Sequence, residues 1–192
     1  MGFLDALLGR TKPKQANLDA LFGIPSSAIT LAAEAGLTPT GTGAVCYRAA
    51  GGGAFAQVEQ EVVELLRADA DAPDVRTTTD EFGFTWLVVE DDPEDLTGLV
   101  TDLHAVNTTL EVHGFGPGLL CSLLPFRDAG GRGFGLVYLY KQGTFYPFAP
   151  KPGGGRQRDT LLEIRARDLL AQDLPVEKDP QRWLAVWGAP GL

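Results

Sequence analysis

The run VRTTTDEFGFTWLVVEDDPEDLTGLVTDLHAVNTTL, residues 75–110, holds two strand patterns followed by one helix pattern. VRTTTDE (75–81) is rich in β-branched residues, and FTWLVVE (84–90) is nearly all apolar, the composition of a strand central in a sheet. Asp92-Pro93-Glu94-Asp95 then predicts a helix start, with Asp92 as cap, Pro93 at the first helical position and acids facing the positive helix end. Leu96, Leu99, Val100, Leu103, Val106 and Leu110 follow at helical spacing on one face. Adjacent strands joined by a short turn favour antiparallel pairing, and a helix with one apolar stripe must lay that stripe on the sheet.

The same order recurs on both sides of this run. Upstream, Asn17 is placed to cap a short helix LDALF that Gly23 and Pro25 end, and SAITLAA (27–33) and AVCYRAA (44–50) read as strands around the turn-rich GLTPTGTG. After Gly51–Gly53, residues 54–70 carry Phe55, Val58, Val62, Leu65 and Leu66 at helical spacing. Downstream, Gly114, Gly116 and Gly118 break the helix, LLCSLLPF (119–126) and GFGLVYLY (133–140) read as long apolar strands, and TFYPFAP (144–150) pairs with the latter across Gln142-Gly143. KPGGGR (151–156) is a loop, Asp159 caps a last helix over 160–172, and RWLAVW (182–187) closes the chain as a short strand or docking segment. The expected fold is α+β: a single layered domain, mainly antiparallel sheet, built from strand-strand-helix units with helices packed on one face.

The chain has 192 residues, 44% of them hydrophobic, and a net charge of −9. That acidity disfavours nucleic acid as a partner, because a polyphosphate would approach against the net field. Charge is also sorted by position. Between Thr77 and Phe126 there are nine acids and neither Lys nor Arg, whereas Arg127 to Arg158 holds six basic residues and one acid. The basic stretch is expected to lie partly against the acidic one, since adjacent strands bring them together.

Catalytic patterns are missing from the string. The three serines, Ser26, Ser27 and Ser122, lie outside any G-x-S-x-G, and neither glycine run has the strand, lysine and helix of a phosphate loop. Gly114-Phe115-Gly116-Pro117-Gly118 follows a helix and precedes a strand, which inverts the dinucleotide order. His104 and His113 have no companion at metal-ligand spacing, and His113 is placed to interact with a helix end. Cys46 and Cys121 lie far apart in the chain, each in an apolar strand, and read as buried free thiols in preference to a disulfide. The expectation is a protein without cofactor or metal that is not an enzyme.

Binding features are more visible. YLYKQGTFYPF puts Tyr138, Tyr140, Phe145, Tyr146 and Phe148 near Lys141, and the tail adds Trp183 and Trp187, the aromatic and cationic mixture of many interaction surfaces. Arg156 and Arg158 close the basic stretch as further candidates for a partner. At the N-terminus, Phe3, Leu4, Leu7 and Leu8 share one helical face, with Arg10, Lys12 and Lys14 next in line. This divides the chain into an amphipathic segment with basic linker, 1–14, and a domain, 15–192. The segment suits a membrane surface, a partner groove or packing as a turn on its own domain; Ala6 departs from the myristoylation pattern. No apolar run reaches the length of a membrane span and no signal peptide is evident, so the expected location is cytosolic, with peripheral attachment at the inner face of the plasma membrane.

MGFLDALLGR (1–10), LDALFGIPSSAITLAAEAGLTPTGTGAVCYR (18–48), TTTDEFGFTWLVVEDDPEDLTGLVTDLHAVNTTLEVHGFGPGLLC (77–121), LVYLYKQGTFYPFAP (136–150) and RWLAVWGAPGL (182–192) together resemble the PspAB family, the PspA-associated proteins of actinobacteria. The resemblance implies a noncatalytic accessory or adaptor of the phage-shock membrane-stress response. It implies as partner PspA or a membrane protease of the HtpX type, and it brings no functional residues with it. Two other readings stand beside it: a chaperone-like module for hydrophobic segments, marked by an open apolar groove, and a small enzyme, marked by a metal or a polar cleft near His104 or His113.

Overall fold

The computed structural model describes residues 16–68, 72–153 and 155–192. Strands β1 (Thr38–Pro39), β2 (Thr42–Tyr47), β3 (Asp74–Thr79), β4 (Thr85–Glu90), β5 (Leu119–Arg127), β6 (Gly133–Leu139) and β7 (Thr144–Phe148) form one open antiparallel sheet in the order β3-β4-β2-β5-β6-β7, with β1 paired to β5. The apolar β4 pairs with β3 on one side and β2 on the other, as a central strand must.

Helices α1 (Ile24–Ala35), α2 (Gly53–Leu66), α3 (Leu96–Val112) and α4 (Thr160–Leu170) lie on one face. Strand alternation divides the sheet's side chains into two cores. Val45, Tyr47, Leu87, Val89, Leu124, Phe126 and Tyr138 meet the helices. Ala44, Cys46, Trp86, Val88, Cys121, Leu123 and Tyr146 point the other way, where they meet the chain's last ten residues instead of a helix. The predicted α3 stripe is the buried face of that helix, and the buried Asn107 donates to Leu103 O within the helix and to Ser122 Oγ on β5, the latter tying helix to sheet.

Three local expectations need correction. SAITLAA is helical, not a strand: Pro25 enters the first turn of α1, Ile24, Ala28 and Leu31 recur at helical spacing toward the core, and Gly36 at φ 66° closes the helix. Its N–H bonds Ala32 O while Leu37 N–H bonds Leu31 O, so the β-branched Ile29 and Thr30 are carried by a well-terminated helix. LDALF forms a 3-10 turn, Leu18–Gly23, that runs straight into α1. The cap of α3 is Asp95, whose carboxylate accepts from Gly98 N at 2.8 Å. Asp92 instead holds the preceding turn by accepting from Glu94 N, and Pro93 belongs to that turn. Asp159 caps α4 as expected, accepting from Leu162 N.

Candidate functional site

Antiparallel order brings the end of β2, the starts of β4 and β5 and the end of β6 to one edge of the sheet. On the face away from the helices, this edge forms the floor of a groove of about 470 Å³. The register places Cys46 opposite Cys121 but Tyr47 opposite Leu119, so β5 bulges by one residue at Leu120. Leu120 and Cys121 consequently both join the groove-side core, a redirection that bulges commonly produce.

One wall is the β3–β4 turn. Asp80 Oδ1 accepts from Phe82 N and Phe84 N, each at 2.9 Å, and Oδ2 accepts from Trp86 Nε1 at 3.0 Å. Desolvation works to raise the Asp80 pKa, but the Trp86 indole and the backbone N–H groups of Phe84, Phe82 and Gly83 outweigh it and hold the carboxyl below its ordinary value. The carboxylate therefore fixes Phe82, Phe84 and Trp86 relative to one another.

The opposite wall is the C-terminal tail, fastened at intervals. Phe145 N donates to Pro175 O and Glu177 N to Phe145 O, docking the tail beside β7. Burial pushes the Glu177 carboxyl upward, whereas Asp179 N, the Thr144 hydroxyl and Arg182 bring it below its ordinary range. Trp183 Nε1 donates to Glu177 O, Tyr146 Oη to Leu184 O at 2.9 Å and Arg158 Nη1 to Trp183 O at 2.6 Å. Trp187 meets Phe148 edge to face at 4.8 Å.

Between these walls the groove is apolar and open. Phe82 and Leu184 stand at its mouth with relative exposures of 54% and 62%, large for such side chains. The rim carries positive charge: Arg48 lies 5.8 Å from the Phe84 ring centroid, and Lys141, on the β6–β7 turn, forms no ion pair among the described residues. Arg182 is already paired with Glu177 and Asp179. The arrangement suits an apolar ligand or segment that bears negative charge at its edge.

The residues singled out from sequence divide sharply. Phe3, Leu4, Leu7, Leu8, Arg10, Lys12 and Lys14 lie outside the described residues. Lys141, Tyr146 and Trp187 line the groove. Tyr138, Tyr140, Phe145 and Phe148 are not surface aromatics but core, because β6 and β7 are covered on both faces; Tyr138 Oη donates to Asn17 O. Arg158 is partly buried, binding Glu163, Trp183 O and Pro147 O. Trp183 stacks on Tyr146. Arg156 pairs with Glu81 and lies over Phe82, which is where the basic stretch meets the acidic one; Arg127 and Arg132 serve Gly191 O, Asp128 and Asp159. Phe82, Phe84, Leu120 and Leu184 were missed, since only the register and the path of the tail bring them together.

The histidines lie elsewhere. His104 packs on Phe22 and approaches Asp19, and His113 Nδ1 is 2.8 Å from Thr109 O. Among the described residues no group of three His, Cys, Asp or Glu side chains is arranged to hold a metal ion, and no helix is long and apolar enough to cross a membrane. Compared with known families, residues 1–191 match the family model described as PspA associated protein B. Comparison with curated proteins and with solved structures gave no match.

Proposed function

The chain belongs to the PspA associated protein B family, and from that premise we propose that it is a noncatalytic accessory protein of the PspA-linked stress response that binds a protein partner near the membrane surface. The observation that carries this reading is the open apolar groove between sheet and tail, with exposed Phe82 and Leu184 at its mouth, Lys141 on its rim and Arg48 over the Phe84 ring beside it, neither cation in an ion pair among the described residues. Its occupant is an apolar segment of the partner flanked by acidic residues, which would bury the two exposed side chains and meet the two cations. PspA is the first partner to test, because the family description names it. The HtpX-type protease is the second, on the resemblance alone. Residues 1–14 supply the membrane contact in this scheme, through Phe3, Leu4, Leu7 and Leu8 with the basic side chains that follow.

The test is titration of the full-length chain with purified PspA, read by the emission of Trp86 and Trp187 in the groove. Leu184→Asp removes apolar contact worth about 1.5–3 kcal/mol, so affinity should fall roughly ten- to a hundredfold. Unaltered affinity removes the groove from the interface. If unrelated apolar peptides bind as tightly as PspA, the chaperone-like reading takes its place, since the same groove favours both.

A further inference from the structure

Cys46 and Cys121 face each other directly in the β2–β5 register, belong to the same groove-side core and line the groove floor together. Directly opposed antiparallel residues have Cα atoms about 4.5–5.5 Å apart, inside the range of roughly 4.4–6.8 Å that a disulfide spans. Both thiols are free. The geometry points to a dithiol modification site: Cys46 and Cys121 close to an intrachain disulfide by exchange with a low-molecular-weight disulfide that enters through the groove.

The two thiols have different parts in the exchange. Cys121 is the more exposed, at 8% against 3%, and follows the bulge that turns β5 toward the groove. Contact with the Cys121 sulfur, together with burial, pushes the Cys46 thiol well above its ordinary pKa. First attack therefore falls to Cys121. Having lost its proton, its sulfur bonds to one sulfur of the incoming disulfide, whose S–S bond breaks and releases one small thiol. The Cys46 sulfur, also deprotonated, then attacks the Cys121 sulfur of that mixed disulfide and expels the second small thiol. Two protein thiols are oxidised, one small disulfide is reduced to two thiols, and the departing sulfurs take up the two protons.

The inference does not depend on the partner reading, because it concerns the floor of the groove alone. Full-length protein is equilibrated with reduced and oxidised glutathione at graded ratios, quenched with an alkylating reagent and weighed intact. The expected product is a monomer lacking two hydrogens, with both thiols lost in one two-electron transition that dithiothreitol reverses. Digestion of the wild-type chain should link the Cys46 peptide to the Cys121 peptide, a result that needs no variant to fold. Cys46→Ser should accumulate a stable glutathione adduct at Cys121. Any of three results overturns the proposal: persistence of both thiols at the most oxidising ratio, disulfide-linked dimers as the product, or a wild-type mixed disulfide as stable as that of Cys46→Ser.

Discussion

Replacing Arg158 by Met tests how the tail is held against the sheet. Arg158 donates to Glu163 Oε1 at 2.8 Å, to Trp183 O at 2.6 Å and to Pro147 O at 3.3 Å, and its guanidinium lies 5.1 Å from the Phe148 ring centroid. Glu163 is its buried partner, 4% exposed at the side chain, and the same Oε1 accepts from Ala149 N. Met keeps most of the apolar stem but strands the Glu163 carboxylate. Removing one partner of a buried pair costs about 3–5 kcal/mol. The Arg158 side chain is 24% exposed, so water partly compensates and the low end, about 3 kcal/mol, applies. In a chain of this size each kcal/mol moves the melting temperature by roughly 2–4 °C. Thermal melts followed by circular dichroism should therefore show a fall of about 6–12 °C. Trp183 emission should shift as well, since its carbonyl loses its donor. The double variant Arg158→Met, Glu163→Met removes the stranded charge and should recover part of the loss, limited by Ala149 N, which loses its acceptor at a cost of about 1–3 kcal/mol. A single variant melting within about 2 °C of wild type, or a double variant less stable than the single, would refute the reasoning.

Asp80 and Glu177 are both held below their ordinary pKa values, so each contributes stability that is present above the unfolded-state value and lost as pH falls through the folded one. Asp80→Asn should lower stability at pH 7 and narrow the difference between urea midpoints at pH 7 and pH 3; an unchanged difference removes Asp80 from the acid response. At Gly41, φ is 76° and an added Cβ would collide with Asp91 O, so Gly41→Ala should cost about 2 kcal/mol or more in chemical denaturation. Replacing His104 or His113 by Gln should leave partner binding intact in the titration, because both lie away from the groove; loss of binding with an unchanged melt counts against that site. Leu4→Asp with Leu8→Asp should abolish liposome flotation without changing the melting temperature, and a large drop in that temperature would assign the segment to the domain core.

Arg156 and Arg158 stand two residues apart in the chain yet have opposite surroundings. Arg156 is 56% exposed at the side chain and paired to the acidic stretch through Glu81, so its reversal perturbs the surface. Arg158 is a partly buried strut. Their sequence context gave no means of separating them, because burial is set by where the tail crosses β7.

Local chemistry sufficed wherever period and caps agreed. The α3 stripe, the Asp159 cap, the apolar β4, β5 and β6 and the turns between strands dictated an antiparallel layered α+β fold, because each carries its own 2.0- or 3.6-residue period. SAITLAA failed that test, since seven residues containing Ile and Thr fit either period, and only packing of Ile24, Ala28 and Leu31 into the core chose the helix. Aromatic residues in YLYKQGTFYPF were visible, but not that Tyr138, Tyr140 and Phe145 would enter the helix-side core while the C-terminal tail covers Tyr146 and Phe148 on the other face. The groove belongs wholly to tertiary structure. Cys46 and Cys121 are 75 residues apart in the chain, and Phe82 and Leu184 are 102 apart. What joins them is antiparallel register, a one-residue bulge and a tail held by hydrogen bonds to distant elements, none of which leaves a periodic mark in the sequence.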